Sequence, residues 1–77
     1  MNYIMAIGLR IEMLRRQKEV TQRELAVRCK LSRTTINATI KGRASIVTIT
    51  TILKICNALQ ITCREFFDSE LFENITY

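Results

Sequence analysis

The sequence predicts an all-α domain of five short helices, and three observations carry that prediction. Proline is absent and glycine occurs only at positions 8 and 42, so little in the chain interrupts a helix. Through most of the 77 residues the apolar side chains recur at helical spacing rather than in strict alternation. Hydroxyl residues precede several of these stretches, twice with a glutamate three residues later, the pattern of a capping box. A chain of this length makes one domain, large enough for a single helical core and too small for a deep catalytic cleft.

The first helix is expected from about Tyr3 to Lys18. Ile7, Ile11 and Leu14 fall on one stripe, and Arg10, Arg15, Arg16 and Lys18 fall outside it. Thr21 with Glu24 opens a second helix that runs to about Cys29 and buries Leu25, Ala26 and Cys29. Glu24 and Arg28 stand four apart on its outer face, a pairing worth roughly a few tenths of a kcal/mol. Ser32 caps a third helix. At 100° per residue, Ile36, Thr39 and Ile40 gather on one side while Arg33, Thr34, Asn37, Ala38 and Lys41 span the other. Gly42 can take the left-handed conformation that ends this helix, and residues 43–47 form a loop. Thr48 caps a fourth helix, with Ile49, Ile52, Leu53, Cys56 and Leu59 on its core face and its end near Gln60. Thr62 with Glu65 starts a short fifth helix holding Phe66 and Phe67. Residues 1–69 thus form the domain and 70–77 a C-terminal tail. Its Leu71, Phe72, Ile75 and Tyr77 either extend the helix, form a short strand, pack back onto the chain's own core or cover a partner; the expected partner is a second copy of the chain, met by these residues and the outer face of the fourth helix.

Residues 21–43 hold two capped helices separated by a few residues, the layout of a helix-turn-helix. The polar arc of its second helix suits a major groove: Arg33 can bind guanine through two hydrogen bonds, and Asn37 can donate to and accept from adenine. Thr34 can contact base or phosphate, and Ala38 is small enough to meet a thymine methyl. Gln22, at the start of the preceding helix, can hold a phosphate oxygen together with nearby backbone N–H groups. Ser32, Lys41 and Arg43 are further phosphate candidates, and Arg10 another on the first helix. Charge points the same way. All 12 Lys and Arg lie in residues 1–64 against Glu12, Glu19 and Glu24, whereas Glu65, Asp68, Glu70 and Glu73 crowd the last stretch. A basic body with an acidic end fits a polyanion, with the end directed elsewhere. A merely solvated basic surface is the other reading of charge alone.

Other classes are disfavoured. There is no histidine, the acids are scattered, and no Cys or Ser has a base in a recognisable pattern, so an enzyme is not expected. Cys29, Cys56 and Cys63 form no C-x-x-C pair and make a poor zinc set, so no metal or cofactor is expected and the cysteines read as small core residues. No stretch reads as a membrane span or a signal peptide, which predicts a cytoplasmic protein with no membrane partner and no evident small-molecule substrate. The acceptor-like Asn74-Ile75-Thr76 is then a chance match.

The chain resembles the lambda-repressor-like, Cro/CI-type (XRE) helix-turn-helix family over about Ile7 to Phe67. The matching pieces are Ile7-Gly8-Leu9-Arg10-Ile11 with Leu14-Arg15, Thr21-Gln22 with Glu24-Leu25-Ala26, and Leu31-Ser32 with Thr35-Ile36 and Gly42. Thr51-Ile52-Leu53-Lys54-Ile55 with Ala58-Leu59, and then Glu65-Phe66-Phe67, complete the order. The resemblance implies a compact five-helix domain that binds operator DNA to regulate transcription, most often as a repressor and a homodimer. A protein-interaction module of the same fold, such as an antitoxin or a bridging factor, is the alternative. The sequence departs from the family pattern at Lys30, where glycine is common in the turn, and at Thr39 and Ile40, which invert the usual apolar and polar order. Val47 stands where proline is common.

Overall fold

The computed structural model describes residues 1–76. Five α-helices follow one another: α1 (Tyr3–Gln17), α2 (Gln22–Cys29), α3 (Arg33–Ile40), α4 (Ile49–Leu59) and α5 (Cys63–Phe67), with a 3-10 turn at Glu70–Phe72. The all-α, five-helix class and the helix-turn-helix of α2 and α3 are as the sequence predicts. Each α-helix starts the same way. The side-chain oxygens of Asn2, Thr21, Ser32, Thr48 and Thr62 each accept a hydrogen bond from the backbone N–H three residues on, satisfying donors that the helix leaves open. Both predicted capping boxes, Thr21 with Glu24 and Thr62 with Glu65, are complete.

The core is one cluster drawn from every α-helix, with Ile11, Leu25, Ile36, Ile55, Leu59 and Phe66 fully enclosed. α3 packs on α1 and α2, and α2 also packs on α4. α4 corrects one expectation: Ile52, Ile55, Cys56, Ala58 and Leu59 face inward, whereas Ile49 and Leu53 are 67% and 46% exposed. Apolar residues nearly encircle this helix, so two overlapping helical stripes fit its spacing, and contact with α2 selects the one through Ile55.

Backbone approaches backbone where α1 crosses α3. A Cβ on Gly8 would lie 2.5 Å from the Ile40 carbonyl oxygen and 2.6 Å from that of Thr39, so only glycine permits this contact. Three arginines satisfy carbonyls in the last turn of a helix or just past it. Arg10 donates to Phe66 O (2.7 Å) and Glu65 O (2.8 Å), Arg15 to Val20 O (2.8 Å) and Arg28 to Ala58 O (3.2 Å). Arg15 also pairs with Glu12, and the expected Glu24–Arg28 pair forms loosely at 3.9 Å.

Residues 70–76 return to α1. The Phe72 ring lies 5.9 Å from that of Phe66 and 4.9 Å from that of Phe67, and it packs against the core. Asn2 and Thr76 form a single parallel bridge in which Thr76 N–H donates to Met1 O (3.0 Å) and Tyr3 N–H to Thr76 O (2.9 Å). Leu71 and Ile75 are half-buried, and Tyr77 lies outside the described residues.

Candidate nucleic-acid interface

Two caps hold the interface. Thr21 Oγ1 accepts from Glu24 N (3.0 Å), and Glu24 Oε1 accepts from Thr21 N (3.1 Å), which fixes Gln22 at the first position of α2. The Thr21 backbone N–H, then its hydroxyl, holds the Glu24 carboxyl below the usual carboxylate range, so this end of α2 keeps its brace until the pH falls through that lowered value. At the start of α3, Ser32 Oγ accepts from Thr35 N (3.0 Å) and donates to Thr35 Oγ1 (2.9 Å). The Ser32 hydroxyl, a phosphate candidate by sequence, is thus occupied as a cap.

Between the helices, Lys30 adopts φ 58°, ψ 38° and its successor's N–H donates to Ala26 O (3.0 Å). The turn has the left-handed geometry that glycine adopts most easily, built here on lysine. Past α3, Gly42 takes φ 70° and Arg43 N donates to Ala38 O (2.9 Å), closing the helix as expected. The inverted pair does not unwind this end. Thr39 and Ile40 are both buried, and the Thr39 hydroxyl donates to Thr35 O (2.8 Å), so no polar atom is left unpaired.

On the opposite side of α3, Arg33 and Thr34 are exposed and Asn37 and Ala38 half-buried, one continuous outward arc. Asn37 Nδ2 donates to Gln22 Oε1 at 3.2 Å, joining a predicted base contact to a predicted phosphate contact across the two helices. Lys41 and Arg43 are exposed just beyond α3. Arg10 is a correction: its guanidinium is engaged by the carbonyls of Glu65, Phe66 and Asp68, because its place on α1 brings it to the end of α5 rather than to the α2–α3 surface.

Sequence reasoning missed two features of this surface. Ser45 and Ile46 of the loop before α4 line one concavity with Thr34 and Ala38, and Ile46 is 68% exposed. Nothing periodic marks a loop residue, so only the fold brings it beside α3. Arg23, exposed at the second position of α2, follows Gln22 directly and was legible from that position alone. The cysteines serve the core: burial raises the pKa of Cys29, whose Sγ lies 3.6 Å from Lys54 O, and burial with Cys63 beside it pushes the Cys56 thiol up to about 12. Among the described residues no group of three His, Cys, Asp or Glu could hold a metal ion, and no helix is long and apolar enough to cross a membrane.

Comparison with known proteins agrees with this geometry. The chain is similar to the restriction-modification controller protein C.AhdI from Aeromonas hydrophila, with 33% identity, a TM-score of 0.77, and 83% of this chain and 96% of that one covered. It is also similar to a tyrosine-to-phenylalanine mutant of the restriction-modification controller protein C.Esp1396I, with 26% identity, a TM-score of 0.79, and coverage of 87% and 86%. No curated protein matches. Residues 10–70 match the family model for the Cro/C1-type HTH DNA-binding domain, which takes in α2, α3 and both of their caps. The chain therefore belongs to the Cro/C1-type helix-turn-helix family and is a DNA-binding transcription regulator.

Proposed function

We propose that this regulator is a sequence-specific repressor that binds operator DNA as a homodimer, each copy laying α3 in the major groove. The observation that carries the reading is the outward arc of Arg33, Thr34, Asn37 and Ala38, set beside Gln22 on a rigidly capped pair of helices. In this reading those four side chains meet base edges. Gln22, Lys41 and Arg43 hold phosphates and supply the salt-dependent part of the affinity, and Ser32 acts through the start of α3 that it caps. The likeness to restriction-modification controller proteins supports a regulatory role of the same kind.

A single α3 makes few contacts, and pairing two copies would set two such helices about 34 Å apart, one DNA turn. An apolar groove lined by Val47, Ile49, Phe67 and Ile75 supports a contact between copies. Ile49 and Phe67 are 67% and 40% exposed in the single chain, more than an isolated core would leave open. This reading moves the centre of the contact from the tail onto α4 and α5, while Leu71 lines a separate concavity with Met1 and Met13.

Selection of bound sequences from random DNA, with the mass of the complex measured alongside, tests the proposal. A palindromic site carrying two chains, bound more weakly as salt rises and blocking transcription when set in a promoter, is the expected result. Binding that selects no sequence, or that ignores salt, would overturn it in favour of a protein partner.

A further inference from the structure

α1 is apolar on two faces. Ile7, Ile11 and Leu14 enter the core, and on the opposite side Met5, Leu9 and Met13 recur every fourth residue, within about 80° of arc and about 12 Å of helix. Together with Met1 they are 42% to 54% exposed. A helix with one face in its own core and a second apolar face in water presents a surface that a partner can cover. Its residue types are informative. All three methionines of the chain lie here, and the unbranched, polarisable methionine side chain moulds itself to apolar surfaces of differing shape.

The rim of this face selects the kind of partner. Met1 and Met13 border a concavity completed by Ser69, Glu70, Leu71 and Glu73. Glu70 and Glu73 are exposed, and neither is ion-paired among the described residues. Basic side chains of α1 near the stripe are already engaged: Arg16 lies 3.6 Å from Glu12, and Arg10 donates to the carbonyls of Glu65 and Phe66. The Met1 ammonium can offset only one of the two carboxylates. At its other end the stripe reaches Met5, which lies against Gly42. Net negative charge therefore edges the Met13 end, where it repels DNA phosphate and anionic lipid alike. Area argues against a second copy. Four half-exposed side chains offer at most roughly a few hundred Å², short of the about 800 Å² per partner of a stable interface and suited to a transient one.

We propose that the outer face of α1 docks an amphipathic helix of a second protein, its apolar side on Met5, Leu9 and Met13 and its lysines or arginines against Glu70 and Glu73. The contact uses no residue of the α2–α3 surface, so partner and DNA can be held at once.

The methionines make the test specific. In the full chain isotope-labelled at the methionine methyls, every NMR signal comes from this face. Two synthetic helical peptides of equal length are titrated in, alike in a leucine stripe but carrying lysine on the polar side of one and glutamate on that of the other. The lysine peptide is expected to shift the Met5 and Met13 signals and to bind about tenfold more tightly than the glutamate peptide, the effect of two ion pairs at a solvated rim. Glu70→Lys/Glu73→Lys should reverse that order. Leu9→Ser should weaken both peptides and leave DNA affinity unchanged. All three substitutions fall on exposed side chains, so the fold is kept. Equal binding of the two peptides, an order that survives the charge reversal, or methyl signals that neither peptide moves overturns the proposal. Methyl signals that shift with the concentration of the chain alone overturn it as well, and give the face to a second copy.

Discussion

Lys30 occupies a left-handed position that glycine fills at lower cost, and its side chain is exposed, so the strain stays in the backbone. Lys30→Gly is expected to stabilise the domain by about 0.5–1 kcal/mol, less whatever the added freedom of the unfolded chain takes back. The denaturant midpoint measures it, and a lower midpoint would show that lysine contributes something the turn geometry does not reveal. The position was legible because the family pattern calls for glycine there. Thr39 was legible only as an anomaly. What resolves it is a bond to the carbonyl four residues back, and a helical pattern says nothing of whether a hydroxyl takes that option. Arg10 was misplaced for a related reason: its stripe on α1 was clear, but the carbonyls that receive it lie more than fifty residues away in the chain.

The helices themselves were readable nearly to the residue, because their boundaries are written in local chemistry. A hydroxyl or amide at each start and a left-handed residue after α2, α3 and α4 act within a few positions of where they stand. How the helices meet was less legible, since the apolar residues of α4 fit two faces and only its neighbours choose between them. The crossing of α1 and α3 offers a sharp test. In an ordinary helix interior Gly→Ala gains up to about 1 kcal/mol. At Gly8 the added carbon would press on two carbonyl oxygens of α3, so Gly8→Ala should instead cost about 1–3 kcal/mol. It should also weaken DNA binding, because α1 can yield only by displacing the helix that carries the reading arc. A variant that melts later than the natural chain and binds normally would show that the crossing has slack.

Across the whole molecule, the acidic end was visible as a charge contrast, but its fate was not, because an apolar residue near a terminus can as easily cover its own core as a neighbour's. Phe72 covers its own. Phe72→Ala is expected to cost about 1–2 kcal/mol, less than for a fully enclosed ring, and to do so equally at low and high protein concentration. A loss confined to high concentration would assign the ring to a contact between copies. The candidate site was legible in its residue types and in its order along the chain, since cap, turn and polar arc lie within 23 positions. The link between Gln22 and Asn37 was not, as it depends on the angle at which α2 and α3 cross. The bridge between Asn2 and Thr76 carries a last implication, for folding order. Most of the architecture pairs helices one or two apart along the chain, and such contacts close smaller loops, whereas this bridge joins Asn2 to Thr76 and must wait until a far larger loop is drawn shut. A seam of two hydrogen bonds that closes so large a loop is expected to form late, and it can part while the two helices of the helix-turn-helix remain folded.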